Sequence, residues 1–178
     1  MPRYIAFLRG INVGGHIVKM QTLRRLFESH GFSGVETVIA SGNVVFESSQ
    51  DGTRKLEQEI EGLLAQALGY HVATFLRTVP ELAAVARRQP FGPEDIGTDA
   101  TIYVVFLRDK PKPAVQRALR TLTTENDALH VGKREVYWLR RAKLKESDRF
   151  GALLAKTLGD ETTIRNITTV QKIANKYR

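Results

Sequence analysis

The sequence predicts an α+β protein made of two split βαβ halves packed as one unit, with a helix at the C-terminal end. Three observations lead there. Short apolar strand-like runs and apolar stripes of helical period alternate over residues 1–78 in the order strand, helix, strand, strand, helix, strand. The same order recurs over residues 101–178. Between them, residues 79–100 hold a short amphipathic stretch and the run QPFGPEDIG, which reads as a connecting helix and loop. Two strand-helix-strand units joined by a hairpin make the ferredoxin-like arrangement, so each half is expected to be one such unit. The halves repeat in element order, not residue by residue.

In the first half, residues 4–8 (YIAFL) form an unbroken apolar run, as a buried first strand should. A loop with three glycines within six residues follows, and Met20, Leu23, Leu26 and Phe27 then recur at helical spacing until Gly31. Residues 35–40 and 44–47 read as paired strands around the turn Ser41-Gly42-Asn43, whose residue types tolerate positive φ. Leu56, Ile60, Leu63, Leu64 and Ala67 mark a second helix that Gly69 ends, and residues 72–77 give the fourth strand. Pro80, with Leu82, Val85 and Ala86, opens the connecting helix.

The second half follows the same logic. Residues 101–107 are a strand, DKPKP a turn, and Val115, Leu119 and Leu122 the apolar stripe of a helix. Leu129 and Val131 lead into the turn Gly132-Lys133, from which residues 136–139 return as a hairpin partner. A helix from about Ser147 carries Phe150, Leu153, Leu154 and Leu158 and stops at Gly159; residues 162–164 form a brief strand and 170–174 part of the last helix.

Composition narrows the function classes. The chain has 178 residues, 42% of them hydrophobic, enough for a core of its own. It contains no cysteine, which removes disulfides, thiolate metal sites and cysteine nucleophiles and points to the cytoplasm; the four scattered histidines show no ligand spacing, and no metal or cofactor is expected. The opening apolar run is broken at Arg9, far short of the roughly 20 residues of a membrane span, so neither a signal peptide nor a membrane partner is expected. The formal charge of +8 is uneven: residues 1–100 carry 10 Lys and Arg against 11 Asp and Glu, residues 101–178 carry 17 against 8. A basic second half suits a polyanionic partner, nucleic acid or a phosphorylated small molecule, although a solvated surface has the same composition.

Four polar constellations stand out. Strand, glycine loop and helix, LRGINVGGHIVKM, is a natural way to present backbone N–H groups to an anion. It fails as a dinucleotide fingerprint because Asn12 stands where the second glycine belongs. It fails as a P-loop because His16-Ile17 replaces Lys and Ser/Thr. Arg9, Gly10, Asn12, Gly14, Gly15 and Lys19 are its candidate ligand residues, and His16 has no neighbouring carboxylate to orient it as an acid or base. Ser41 and Asn43 of the hairpin turn are the second set; Ser41 has no visible base and is no nucleophile. The third is basic, Lys133, Arg134, Arg140, Arg141, Lys143, Lys145 and Arg149 interleaved with Tyr137 and Trp138, the mixture single-stranded nucleic acid uses. Alternation along a strand sends Tyr137 and Trp138 to opposite faces, so at least one belongs to the core. The run SGNVVFES has one aromatic, Phe46, where an RNA-recognition module has several. The fourth is Thr162, Thr163, Arg165, Asn166, Thr168, Thr169 and Lys172 at the entry to the last helix, where Asn166 or Thr168 serves as a cap and the helix end offers donors.

Taken together, YIAFLRGINVGG with its KM-headed helix, VIASGNVVFES, GKREVYWL and TIRNITTVQKIA resemble the bacterial domain of unknown function 1697 over essentially the whole chain. The resemblance implies ferredoxin-like halves and no assigned activity. It carries over to Arg9, Gly10, Asn12, Gly14, Gly15, Lys19, Ser41, Gly42, Asn43, Lys143, Arg165 and Asn166. Three departures limit it: His16 replaces the family's usual lysine, Ile167 and Thr168 replace the Trp and Asn of an RNWNT motif, and Arg141-Ala142-Lys143-Leu144 lacks the glycine and serine of a GRSKL-like segment.

The expectation is a cytoplasmic bacterial protein binding a phosphate-bearing ligand, a nucleotide or nucleic acid, through the glycine loop and the basic second half. Ser41, Asn43, Lys143, Arg165 and Asn166 complete that binding set. The rival from another class is an enzyme acting on a phosphorylated or nucleotide substrate, with Lys19, Lys143 and Arg165 stabilising charge. The third is an interaction module using an exposed hairpin or sheet edge, in an oligomer that the sequence leaves open.

Overall fold

A computed structural model describes the chain apart from residues 13, 40, 41, 142, 143 and 160 and the side chains of 144–148. It is an α+β protein with two four-stranded antiparallel sheets, and the chain divides into two compact units, Met1–Val85 with Lys172–Arg178, and Ala86–Gln171.

In the first unit, β1 (Arg3–Leu8), α1 (Met20–Ser29), β2 (Ser33–Thr37), β3 (Asn43–Glu47), α2 (Thr53–Leu68) and β4 (Thr74–Thr78) follow one another, and the sheet runs β2-β3-β1-β4. This is the split βαβ order expected. The central strand β1 has five consecutive buried residues, which is why it reads as continuous apolar sequence. Alternation decides which of them meet the helices: Tyr4, Ala6 and Leu8 join Val44 and Phe46 of β3 against Leu23 and Phe27 of α1 and Leu56, Ile60 and Leu64 of α2.

Two features of this unit are not readable from periodicity. β4 is an edge strand, yet its outward N–H groups are occupied by carboxylates: Glu61 accepts from Thr74 N at 2.8 Å, Glu57 from Leu76 N at 2.9 Å and Glu81 from Thr78 N at 2.8 Å. Glu57 and Glu61 lie one helical turn apart on α2 and so meet alternate residues of the strand. Three acceptors along the edge leave those N–H groups closed to pairing with another chain. The last of them is also half of a capping box, because Glu81 N donates to Thr78 Oγ1 at 3.3 Å, and this opens α3 (Val79–Arg87). At the C-terminal end, Lys176 and Tyr177 both donate to Glu36 of β2, at 2.6 and 2.8 Å.

The second strand departs from the reading of residues 35–40. It begins two residues earlier, carries an irregularity between Ser33 and Glu36, and ends at Thr37. Ile39 has φ of 50°, a conformation that cannot continue a strand; residue 40 lies outside the described residues.

In the second unit, β5 (Thr101–Phe106), α4 (Pro113–Thr121), β6 (Asp127–Val131), β7 (Glu135–Arg140), α5 (Leu144–Leu158) and β8 (Thr163–Asn166) lead to α6 (Ile167–Lys176), and the sheet runs β6-β7-β5-β8. Val105, Val136 and Trp138 pack on Leu119 of α4 and Phe150, Leu154 and Leu158 of α5. The Trp138 indole N–H donates to Asp127 at 2.7 Å, so the tryptophan is buried with its polar atom satisfied. Among the described residues no helix is long and apolar enough to cross a membrane.

Candidate functional site

The loop joining β1 to α1 holds most of the residues expected to bind a ligand, and it is built rather than slack. Ile11 and Val18 are buried and tie its two ends to the core. Asn12 Oδ1 accepts from Val18 N at 2.7 Å, the Tyr70 hydroxyl donates to Ile11 O at 3.0 Å, and the His16 ring stacks on Tyr70 with centroids 4.0 Å apart. Asn12 therefore shapes the loop from inside. Gly14 and Gly15 have φ of 69° and 87°, and a Cβ on either would meet nothing within 4 Å. These glycines serve the backbone path and leave an open face above it.

The start of α1 sits at the end of this loop. Its N-cap residue is Lys19, which makes no side-chain capping bond, and its first turn has no acidic residue. The N–H groups and the positive dipole end of the helix are thus not neutralised by the residue types that usually do so. Arg9 and Lys19 are exposed at the two ends of the loop.

The hairpin turn reaches the same end of the sheet. Leu8 N donates to Gly42 O at 2.8 Å, and a Cβ on Gly42, whose φ is 74°, would lie 2.9 Å from Ile11 Cγ2 and 3.1 Å from Leu8 Cβ. The turn and the glycine loop are therefore in contact. Asn43 is fully buried and donates through its amide to Val38 O and Ile39 O, both at 3.1 Å, so its side chain closes the hairpin from within. Ser41 lies outside the described residues.

The remaining candidates belong to the second unit. Arg165 Nη1 donates to Thr163 Oγ1 at 2.7 Å and to Ile164 O at 2.9 Å, and burial pushes its guanidinium down to about 10, still protonated at neutral pH. Asn166 Oδ1 accepts from Thr168 N at 2.9 Å and from the Thr168 hydroxyl at 2.8 Å: it is the cap of α6, which accordingly begins three residues before the expected stretch. Lys143 lies outside the described residues.

The interleaved rings do not form a stacking platform. Tyr137 is 0% and Trp138 5% exposed, because alternation on β7 sends Trp138 to the helices and Tyr137 to the other face, and both faces are buried. The neighbouring cations have structural partners: Arg134 Nε donates to Arg108 O at 2.8 Å, Arg141 donates to Asp95 O and Glu125 O, and Arg140 lies over the Trp138 ring. Among the described residues, no group of three or more His, Cys, Asp or Glu is placed to hold a metal ion.

Sequence reading missed Tyr70, which supports the glycine loop from the α2–β4 connection. Its only signal is an aromatic residue directly after the Gly69 helix stop.

A family model described as "Protein of unknown function (DUF1697)" matches residues 1–137. The solved structure of the conserved bacterial protein SP0830 from Streptococcus pneumoniae is similar over 99% of this chain and 98% of its own, with 26% identity and a TM-score of 0.74. No curated protein matches.

Proposed function

The chain belongs to the DUF1697 family, whose description assigns no activity, and from its own loop geometry we propose that it binds a phosphate-bearing ligand, a nucleotide or nucleic acid, on the open face of the glycine loop. One observation carries the reading: a loop braced by Asn12 and Tyr70 presents Gly14 and Gly15 to open space and runs into a helix end that no acidic or capping side chain neutralises. Backbone N–H groups beside two glycines can approach phosphate oxygens closely, and the helix dipole favours their negative charge. Arg9 and Lys19 supply cations at either end. The basic second half of the sequence gives the protein a net positive charge, which favours such a ligand.

The small-ligand form is tested by thermal shift with a panel of nucleoside mono-, di- and triphosphates. A nucleotide at about 100 times its dissociation constant adds about 2.7 kcal/mol, or about 5–10 °C for a chain of this size. The double variant Arg9→Gln, Lys19→Gln should remove most of that shift. The polymer form is tested by titrating labelled RNA and single-stranded DNA at several salt concentrations, where affinity should fall linearly on logarithmic axes. No shift with any nucleotide, together with no polymer binding at low salt, overturns the proposal.

A further inference from the structure

The second unit contains a cleft that the glycine loop does not account for. Its volume is about 500 Å³, within the range of about 300–1,000 Å³ of small-molecule sites. One wall comes from the segment after α3, with Pro90, Phe91 and Ile96; the floor from β5 and β7, with Ile102 and Tyr137; the far side from Ile167 and Gln171 of α6. Most of this lining is apolar. Ile96 is 39% exposed, an apolar side chain of the connecting loop left facing water.

The polar groups are few. Arg88 lies in the lining, and its Nη2 sits 2.9 Å from His130 Nε2. Among the described residues it has no carboxylate partner, and the imidazole beside it is kept towards the neutral form by burial and by Arg88 itself. That contact fixes the guanidinium without cancelling its charge. Tyr137, fully buried, is near enough to feel Arg88, and burial followed by Glu135 pushes its phenol up, so it keeps its hydroxyl proton. The Gln89 and Gln171 side chains also line the cleft.

We propose that this cleft binds a small amphipathic carboxylate, its apolar body against Phe91, Ile96, Ile102 and Ile167 and its anionic head on Arg88. The charge balance selects the class. One guanidinium matches one carboxylate, in a planar fork geometry that suits it, whereas a phosphate dianion would bring a second charge into apolar walls. The surrounding unit favours an anion as well, since residues 86–171 carry 16 Lys and Arg against 11 Asp and Glu.

The test uses 8-anilinonaphthalene-1-sulfonate, a fluorescent amphipathic anion, as the probe on the full chain. It should bind at one site and be displaced by octanoate or benzoate at least tenfold more effectively than by the neutral 1-octanol or benzyl alcohol. Arg88→Gln should weaken the acid about tenfold to a hundredfold, the loss of one charge-assisted contact. Ile96→Asp, placed on an exposed loop side chain so that folding is spared, should weaken it comparably, and Arg9→Gln should leave it unchanged. Displacement by either acid through Arg88 sustains the proposal, whichever is tighter. No displaceable probe, equal displacement by acid and alcohol, or wild-type affinity in either Arg88→Gln or Ile96→Asp overturns it.

Discussion

Replacing Gly42 by alanine tests whether the hairpin turn and the glycine loop form one packed assembly. Two costs add at this position. The backbone φ of 74° lies in the left-handed region, where a Cβ costs about 1–2 kcal/mol. The new methyl would also lie 2.9 Å from Ile11 Cγ2, 3.1 Å from Leu8 Cβ and 3.3 Å from Leu8 O. Neither neighbour can yield freely, since Leu8 and Ile11 are 1% and 2% exposed and Leu8 N is bonded to Gly42 O. Overpacking of this kind costs about 1–3 kcal/mol more. Gly10→Ala is the internal control, because its φ of 67° is similar but its Cβ would meet nothing within 4 Å. Equilibrium urea unfolding followed by far-ultraviolet circular dichroism should give a loss of about 1–2 kcal/mol for Gly10→Ala and about 2–5 kcal/mol for Gly42→Ala. If Gly42→Ala is no more destabilising than Gly10→Ala, the contact between turn and loop is not what holds this end of the sheet together.

Glu57→Ala strips the acceptor from the buried Leu76 N–H and should cost about 2–3 kcal/mol, whereas Glu57→Gln, which keeps an oxygen in reach, should cost about 1 kcal/mol, as read from urea midpoints. The 3.8 Å pair between Glu57 and the largely exposed Arg54 adds little to either figure. Ile39→Asn relieves a β-branched residue at φ of 50° and should raise stability by about 1 kcal/mol, provided Asn43 still donates to the carbonyl of residue 39. Acidification should destabilise the protein in two windows. Burial, with Arg88 beside it, holds His130 below 6.5, so its contribution is complete above that pH and is lost as pH falls through the folded value. Hydrogen bonds from Lys176 and then Tyr177 hold the Glu36 carboxyl below 4.5, and its contribution is lost lower still. His130→Gln should flatten the upper window alone in urea midpoints measured from pH 7.5 down to 4; an unchanged profile would remove His130 as its source.

Much of the architecture was legible in the chain because local chemistry states it. The unbroken run at residues 4–8 has the length and pattern of a strand buried on both faces, Leu56, Ile60 and Leu64 recur at the spacing of one side of a helix, and Gly31 and Gly69 follow helix ends in the left-handed conformation. The glycine loop was equally visible, since clustered glycines mark a backbone path that other residues follow only with strain. The roles of single polar side chains were not, because a type does not reveal its partner. Asn43 looked like a ligand group and is spent inside its own turn; Asn166 looked equally suited to binding or capping, and it caps. Alternation put Tyr137 and Trp138 on opposite faces of one strand and so at least one of them in the core; that both are buried depended on what covers the second face.

What the sequence by itself determined is the order of elements and the identity of the apolar faces, because period and glycine placement act over a few residues. What only the tertiary structure decided is which groups meet across long separations. Tyr70 bracing Ile11, the glutamates of α2 closing the edge of β4, and Arg88 held by His130 in the lining of an apolar cleft all join residues far apart in the chain. Hydrogen bonds and packing depend on position in space, and no local pattern carries that information.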